Sequence, residues 1–334
     1  MDKVWSRLSC RHYARKRFRK GHNTNENRRS LALFEDELDA LKRLSHHHLV
    51  KFMGSYTDPK YVAYLMEPIA DCNLEEYLSE QQSWIQAHAS TLRTYFGCLA
   101  SAVSYLHKQD IRHRDLKPSN VLIKDDKIYI ADFSAALDSS KRSRTTTNSA
   151  HGIGTAQYMP PEVANKEPRN RKSDMWSLGV VFLEMTTVLR GLSLKRMEQF
   201  LERNGTGNVH ILNNLPGTYK WFEEIRTSPT GFESDNEPLT WIKDLTQINP
   251  LQRPDARALA KQIANSASTR PFCGICCARN VIEDEDEVDS SPAEDDADRP
   301  SVDELFDHPQ SIHHEDSKQS VVEQWLYSSD SNCN

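Results

Sequence analysis

The octapeptide HRDLKPSN at residues 113–120 places an acidic, a basic and an amide side chain close together in the chain. Transfer of a phosphoryl group from a nucleotide needs a carboxylate to accept the proton of the acceptor hydroxyl, oxygen ligands for Mg²⁺, and a cation against the phosphates. Asp115 can act as the acid–base residue, Lys117 can reach the transferred phosphate, and Asn120 can bind the metal. Asp132, seventeen residues after Asp115, offers a second metal ligand. The spacing therefore indicates phosphoryl-transfer chemistry.

Five motifs follow one another in an order that a known family shares. After HRDLKPSN come DFS at residues 132–134, GTAQYMPPE ending at Glu162, SDMWSLG containing Asp174, and NPLQRP containing Arg253. In this set the chain resembles the eukaryotic-type protein kinases, whose motifs serve phosphoryl transfer. One motif alone would be weak evidence, because HRD is also compatible with an ordinary charged loop. The resemblance covers about residues 1–267.

The resemblance implies roles for these residues and a type of substrate. Asp174 falls where the family has the buried anchor of its catalytic loop, and Arg253 falls where it has the ion-pair partner of Glu162. Lys117, together with Thr155, is similar to the Ser/Thr branch. The implied activity is transfer of the γ-phosphoryl group of ATP, bound with Mg²⁺, to Ser or Thr hydroxyls of a protein. A small-molecule kinase of related fold agrees less well with GTAQYMPPE.

The tetrapeptide YARK at residues 13–16 occupies the position of the family's VAIK motif. Lys16 would then hold the α- and β-phosphates, and Glu37, twenty-one residues later, would be its ion-pair partner. Taken alone, Lys16 is equally typical of the solvated basic face of RKRFRK.

The adenine site is also implied by the resemblance, although every residue in it is compatible with an ordinary core position in a strand. Ala14 would lie on one side of the ring and Leu122 beneath it. The remaining contacts would be Met66 at the back pocket, with the backbone of Glu67 and Ile69 at the adenine edge.

The N-terminus departs from the family pattern. The chain contains no glycine before Gly21, so the first strand and the Gly-rich loop are absent, and Met1 aligns just after them. Backbone N–H groups of such a loop bind the phosphates, so we expect weaker nucleotide binding. A truncated N-terminus is the favoured explanation. The alternative is a pseudokinase, a binding or scaffold module in which Asp115 and Asp132 are unused.

Two further departures concern single residues. Ser134 replaces the glycine of the metal-binding triplet, and we expect it to restrict movement of Phe133 without removing the metal ligand. Arg15 replaces an apolar residue of the VAIK motif. Strand alternation places it opposite Ala14 and Lys16, so we expect it to point to solvent.

The elements that position these residues change in type along the chain. Apolar spacing predicts a helix first, then two strands around an Asp-Pro turn, and then mostly helices. This order predicts an α+β fold with two kinase-like lobes at residues 1–268, the small sheet lobe at about 1–70 and the helical lobe at about 71–268. The predicted helices are 30–44, 92–106, 174–187 and 255–267, and the predicted strands are 49–56, 61–67, 121–123 and 128–131.

Charge is spread unevenly over the 334 residues. The chain holds 42 basic and 48 acidic side chains, a net charge of −6, but residues 281–334 hold 17 acidic and 2 basic ones. Such a segment cannot bury a core, so residues 269–334 are predicted to be a cysteine-containing linker and a disordered acidic tail. The tail could compete with a basic substrate or serve only as a solubilising extension.

A regulatory site is predicted in the segment KRSRTTTNS. An upstream kinase would phosphorylate one of residues Thr145–Thr147, and Arg114 would pair with the phosphate. The alternative is a flexible polar loop without a switch.

Cysteine and histidine usage suggests no metal site. Cys273, Cys276 and Cys277 lack a fourth ligand nearby in the sequence, which predicts a poor zinc site and free surface thiols. Reversible acylation is a second interpretation. Histidines 46–48 are expected to shape a turn.

Composition also bears on location and partners. No signal peptide and no apolar run of about 20 residues is visible, which predicts an intracellular protein, cytoplasmic or nuclear, without a transmembrane segment. The basic run RHYARKRFRK lacks a base-reading scaffold, so no nucleic-acid partner is expected.

Overall fold

The computed structural model describes residues 1–7, 9–21, 23–80, 82–138, 156–167, 169–265 and 270–277. These residues form a small lobe around an antiparallel sheet and a larger, mainly helical lobe, which confirms the predicted α+β architecture. The acidic tail, Thr155 and the predicted phosphorylation sites Thr145–Thr147 lie outside the described residues.

The small lobe consists of four strands and one helix. Its elements are β1 (Asp2–Ser6), β2 (Arg11–Arg19), α1 (Thr24–Arg43), β3 (Lys51–Thr57) and β4 (Tyr61–Glu67). The strands stand in the order β1-β2-β4-β3, with every pair antiparallel. Helix α1 begins six residues before the predicted start because the side chain of Asn23 accepts a hydrogen bond of 2.9 Å from Glu26 N and caps it. The apolar pattern did not predict β1.

The large lobe holds the remaining described elements. Its short strands form two small sheets, β5-β7-β8 and β6-β9, that frame the segment containing HRDLKPSN. The strands are β5 (Cys72–Asn73), β6 (Ile111–Arg112), β7 (Val121–Lys124), β8 (Lys127–Ile130) and β9 (Leu137–Asp138). The helices are α2 (Leu74–Leu78), α3 (Gln82–Ala87), α4 (Ala89–Lys108), α5 (Pro161–Ala164), α6 (Arg171–Leu189), α7 (Leu194–Arg203), α8 (Leu215–Thr227), α9 (Pro238–Leu245) and α10 (Ala256–Asn265).

Helix α6 is the centre of this lobe. It is apolar nearly all round, and every residue from Ser173 to Leu189 is buried, as a helix with no polar face must be. It begins at Arg171 because the side chain of Asn170 accepts a hydrogen bond of 2.8 Å from Lys172 N. The predicted buried helix at 174–187 is therefore present and slightly longer.

The segment after α10 packs against α4. Phe272 is fully buried, with its ring centroid 5.5 Å from that of Phe96 on α4. Cys277, five residues further along, is also buried, whereas Cys276 is exposed. The prediction of free surface thiols is confirmed for Cys276, which is free and exposed, but not for Cys277, which is buried. Folding also brings His47 and His48, which are distant in sequence, beside these two cysteines.

No single helix among the described residues is long and apolar enough to cross a membrane. Helices α6 and α7 pass the length and composition test only as a pair, with a bend of 111° between them.

Candidate active site

The loop between β6 and β7 carries Asp115, and the carboxylate of Asp174 on α6 anchors its backbone. The carboxylate of Asp174 accepts hydrogen bonds from the backbone N–H groups of His113, at 3.0 Å, and Arg114, at 2.8 Å. His107 Nε2 donates a third bond of 2.9 Å. Burial raises the pKa of Asp174, but these donors outweigh it and lower the pKa overall. Arg114 has a φ of 69°, a left-handed conformation that costs a non-glycine residue about 1 kcal/mol and that this anchoring sustains.

Two of the predicted residues of this loop, Lys117 and Asn120, both contact the third, Asp115. Lys117 Nζ lies 2.8 Å from Asp115 Oδ2. Asn120 sits in a short 3₁₀ turn, Pro118–Asn120, and its amide nitrogen donates to the backbone oxygen of Asp115 at 2.8 Å and to Asp115 Oδ2 at 3.0 Å. Since the amide nitrogen is used in this way, the amide oxygen of Asn120 is the atom that can coordinate a cation.

The predicted pair of Lys16 and Glu37 forms across the small lobe. Lys16 Nζ on β2 donates to the two carboxylate oxygens of Glu37 on α1 at 2.7 and 3.0 Å. The same nitrogen donates to Asp132 Oδ1 of the large lobe at 2.7 Å. Tyr64 Oη also donates to Glu37, at 2.7 Å, a contact that the sequence did not reveal. One ammonium group therefore joins both lobes.

The two carboxylates that share Lys16 differ in pKa. Burial raises the pKa of Glu37 above its usual value, and the charge of Lys16 and the bond from Tyr64 compensate only in part. Burial also acts on Asp132, but Lys16 and hydrogen bonds from Ser134 outweigh it and lower the pKa. Asp132 is therefore held ionised, the state in which a carboxylate binds a metal ion.

The residues predicted around adenine lie where the lobes meet. Ala14 on β2 pairs with Met66 on β4, and Met66 is almost fully buried. Glu67, the last residue of β4, and Ile69 just after it are half-buried, as is Leu122 on β7. Ala14, Met66, Glu67 and Leu122 are strand positions and Ile69 follows β4, so the adenine contacts stay a prediction beside the structural one.

Glu162 and Arg253 form the predicted ion pair inside the large lobe. Two parallel bonds of 2.9 Å join the guanidinium of Arg253 to the two oxygens of Glu162. Ser173 Oγ donates to the same carboxylate at 2.9 Å. Burial raises the pKa of Glu162, but Arg253 and Ser173 outweigh it and lower the pKa.

Arg15 does not point to solvent as predicted. It does lie on the face of β2 opposite Ala14 and Lys16, but it is only 6% exposed. Its guanidinium pairs with Asp2 on β1 and donates to Tyr56 Oη on β3 at 2.8 Å. The neighbouring strand β1 and the more distant strand β3 supply these polar partners, which allows a charged side chain to be covered.

A small cleft borders Asp115 on the large lobe. One wall is formed by residues 114–116 and the other by Tyr158, Met159 and Pro160. Tyr158 Oη donates to Glu184 of α6 at 3.0 Å, and Gln157 donates to the same carboxylate. Sequence analysis did not single out Glu184, because it lies within the apolar run of α6.

Comparison with known proteins identifies the family. The family model described as the protein kinase domain matches residues 2–264. The chain belongs to the protein kinase family. This kinase domain is 26% identical over 233 residues to "Serine/threonine-protein kinase nekl-2" of Caenorhabditis elegans, covering 67% of this chain and 59% of that protein. It is 29% identical over 196 residues to "Serine/threonine-protein kinase 33" of Bos taurus, covering 56% and 39%.

These relatives place the kinase domain in the Ser/Thr branch, as predicted. A third relative, "Serine/threonine/tyrosine-protein kinase HT1" of Arabidopsis thaliana, is 31% identical over 157 residues, covering 47% of this chain and 39% of that protein. The chain thus spans between about two fifths and three fifths of the length of these relatives.

Membership of the family implies the use of ATP and a divalent metal ion, and a protein substrate. The side chains present fit these groups. Carboxylate and amide oxygens of Asp132 and Asn120 are ligands that hard cations such as Mg²⁺ prefer. Lys16 is only 18% exposed yet keeps an ammonium group at the space between the lobes, where it can meet phosphate oxygens.

Proposed function

We propose that the chain is a protein serine/threonine kinase that transfers the γ-phosphoryl group of Mg-ATP to Ser or Thr hydroxyls. The observation that carries the proposal is the position of Lys16 Nζ, 2.7 Å from both Glu37 and Asp132. This contact joins a cation of the small lobe to a carboxylate of the large lobe that can bind a metal ion. Such an arrangement binds phosphates and positions them, which is most of what phosphoryl transfer requires.

Each residue then has a defined task. Lys16 binds phosphate oxygens, and Glu37 holds Lys16 in place. Asp132 and Asn120 hold the metal ion, which when bound neutralises charge on the phosphates. Asp115 orients the acceptor hydroxyl and takes its proton as the new O–P bond forms and the bond to the β-phosphate breaks. Lys117, 2.8 Å from Asp115, stabilises negative charge on the transferred group.

The cleft beside Asp115 supports a polypeptide as the acceptor. It is lined by residues 114–116 and 158–160, and it borders Asp115, the residue that would accept the proton. A Ser or Thr side chain is short, so its backbone must approach the protein closely. Adenine would lie between Ala14 and Leu122, with Met66 behind it and the backbone of Glu67 and Ile69 at its edge.

The test is phosphoryl transfer by the full chain. Purified protein is given labelled ATP and Mg²⁺ with a mixture of casein and histones, and the labelled amino acids are identified. We expect phosphoserine and phosphothreonine from the wild type and from Asp244→Asn, an exposed position on α9. Asp132→Asn should abolish the signal.

Two results would support the pseudokinase alternative instead. One is the absence of transfer from wild-type protein that still binds ATP, and the other is equal transfer by Asp132→Asn. The intact mass and N-terminal peptide of the endogenous protein then decide whether a Gly-rich segment precedes Met1. If it does, the activity is measured again on that longer chain.

We further propose that an upstream kinase phosphorylates one of residues Thr145–Thr147. Arg112, Arg114 and Arg169 lie close together, and the Nε atoms of Arg112 and Arg114 are buried without an acceptor among the described residues. Burial, and then the charges of Arg169 and Arg112, lower the pKa of Arg114, so an added phosphate would relieve repulsion there. Replacement of all three threonines by alanine should lower activity and remove the phosphate detected by mass spectrometry. Unchanged activity would contradict the proposal.

A further inference from the structure

Two histidines and two cysteines that are distant in sequence come together on the back of the kinase domain, outside the residues assigned to catalysis. His47 and His48 lie in the turn between α1 and β3, and Cys276 and Cys277 lie in the segment after α10. One ligand atom from each of the four lies within 4.8 Å of the others. His48 and Cys277 are buried, whereas His47 and Cys276 are exposed, so solvent reaches one side of the cluster.

The spacing of the ligand atoms matches a tetrahedral zinc site. Bond lengths of about 2.3 Å to sulfur and about 2.0 Å to nitrogen place two sulfurs about 3.8 Å apart, and a sulfur and a nitrogen about 3.6 Å apart. The two sulfurs of Cys276 and Cys277 are 3.9 Å apart. His47 Nε2 is 3.6 Å from Cys277 Sγ, and His48 Nε2 is 3.2 Å from Cys276 Sγ. Only small movements are needed to place an ion between them.

The ring of His48 is oriented as a metal ligand would be. Its Nδ1 lies 2.8 Å from the backbone oxygen of Ile128, which can only accept a hydrogen bond, so Nδ1 carries the proton. The other nitrogen, Nε2, therefore has a free electron pair, and it faces the sulfur of Cys276. Histidines that bind metals usually donate their second N–H to an oxygen in this way.

The cysteines are brought to this place by specific packing. The backbone after α10 passes so close to α4 that a Cβ on Gly97 would lie 2.6 Å from Phe272 O. A Cβ on Gly274 would lie 2.9 Å from Cys276 Sγ. Gly97 is required because backbone atoms approach it, whereas the atom nearest Gly274 is a side-chain sulfur; Phe272 is fully buried against α4. The position of the two thiols is thus fixed by the core of the large lobe.

We propose that His47, His48, Cys276 and Cys277 bind one zinc ion that fastens the C-terminal segment to the turn after α1. Two thiolates and two imidazoles in a tetrahedron are the ligand set typical of structural zinc. The ion closes a loop of more than two hundred residues, since His48 and Cys276 are 228 positions apart. Backbone bonds join His48 to Ile130 at 2.9 Å, so the site also holds the turn against β8 of the large lobe.

The test is metal content and geometry in the full chain, purified without a metal-affinity tag. After removal of metal by a chelator under reducing conditions, ZnCl₂ should restore one equivalent per chain. Co²⁺ should give the visible bands of a tetrahedral site together with a thiolate charge-transfer band. Cys276→Ser should lose the metal, and so should His47→Ala. Cys273→Ser and Cys10→Ser, which change thiols outside the proposed ligand set, should keep it.

The design separates loss of binding from loss of folding. Cys276 and His47 are exposed, so their variants should keep the far-ultraviolet circular dichroism of the wild type. Added zinc at 100 times its Kd should raise the melting temperature of the wild type by about 5 °C or more and leave these variants unchanged. The circular dichroism of each variant, measured without zinc, shows whether it is folded.

Cys98 provides the decisive contrast, because its sulfur lies 3.7 Å from that of Cys276 without belonging to the proposed set. Cys98→Ser should retain one zinc ion. The proposal is overturned if the wild type binds no zinc at equimolar concentration, or if Cys276→Ser still binds it. It is also overturned if Cys98 is required and His47 is not, or if the reduced protein binds nothing and the oxidised one contains a Cys98–Cys276 disulfide.

Discussion

Two ion-pair groups, each joining distant parts of the chain, differ in their access to solvent. Lys16 and Asp132, which meet between the lobes, have side chains that are 18% and 28% exposed. Arg253 and Glu162, which meet inside the large lobe, are 0% and 3% exposed. A group that borders open space can exchange one partner for a ligand, whereas a sealed group can only hold its surroundings together. The first group is thus suited to binding and the second to stability.

The carboxylates of the two groups show the same difference. Arg253 binds Glu162 through two parallel hydrogen bonds. Burial alone would raise the pKa of Glu162, but these bonds outweigh it and the pKa is lowered overall. Lys16 divides its charge between Glu37 and Asp132, and the pKa of Glu37 stays raised because burial dominates. A shared cation therefore leaves one carboxylate incompletely neutralised. This is the state expected of a site in which Lys16 also serves phosphates.

The largest effect should come from Asp115→Asn at the interlobe site. Loss of the group that takes the proton should lower kcat by about 10²- to 10⁴-fold. Asp115 and Lys117 are both 22% exposed, so the free energy of unfolding should change by less than about 1 kcal/mol. Steady-state kinetics and thermal unfolding measure the two quantities on the same sample. A variant that retains activity, or that unfolds, would remove the distinction between the two groups.

The sealed pair should give the opposite result. Arg253→Ala leaves Glu162 buried without its cation, which typically costs about 3–5 kcal/mol. For a domain of this size we expect a melting temperature lower by roughly 10 °C. Below that temperature the folded variant should keep its KM for ATP. The exposed Arg257→Ala is the matched control on the same segment, and a similar loss of stability there would argue against a specific role for the buried pair.

Glu184 is a buried carboxylate that extends this comparison. Its hydrogen-bond partners among the described residues are Tyr158 and Gln157, which are uncharged, and burial raises its pKa to about 8. The folded state therefore favours the protonated acid. Stability from this group is fully present below the unfolded value of 4.5 and is lost as the pH rises towards about 8, by up to about 1.4 kcal/mol per pH unit.

Glu184→Gln removes this titration. Urea unfolding of both proteins between pH 5 and 8 should show the wild type losing stability relative to the variant as the pH rises. A constant difference across that range would mean that Glu184 is ionised in the folded protein. The contrast with Glu162, whose pKa is lowered by Arg253, would then disappear.

The lobes and the local motifs could be predicted because their signals are short-range. HRDLKPSN folds into one loop, so the contacts of Asp115, Lys117 and Asn120 follow from neighbouring positions. The pairs Lys16–Glu37 and Glu162–Arg253 are distant in sequence, and only the family resemblance predicted them. The buried helix at 174–187 could be predicted because a helix that is apolar on all sides is stable only in the interior of the protein.

The errors come from long-range contacts for which no motif exists. Strand alternation predicted the correct face for Arg15, but not that Asp2 on β1 and Tyr56 on β3 would cover it. The cysteine cluster has no fourth ligand within its own segment, and nothing in the sequence relates it to His48, which is 228 positions away. Glu184 is likewise hidden in an apolar helix.

The smallest effect should come from the pair of Arg15 and Asp2, which is buried on one side only. The side chain of Arg15 is 8% exposed but that of Asp2 is 38% exposed, so solvent screens their attraction. Asp2→Asn should reduce stability by less than about 1 kcal/mol and leave kcat unchanged. Hydrogen bonding to Arg15 lowers the pKa of Asp2, so the small contribution is present above the unfolded value of 3.8 and is lost as the pH falls below it.

Thermal unfolding of wild type and Asp2→Asn at pH 7, at low and high salt, measures this effect. The difference should shrink at high salt, as it does for exposed pairs. Tyr56 continues to accept a bond from Arg15 in the variant, so the guanidinium keeps a partner. A loss as large as that of Arg253→Ala would show that burial of one partner is enough for an ion pair to hold a sheet together. Solvent access would then not separate the groups that bind from those that stabilise.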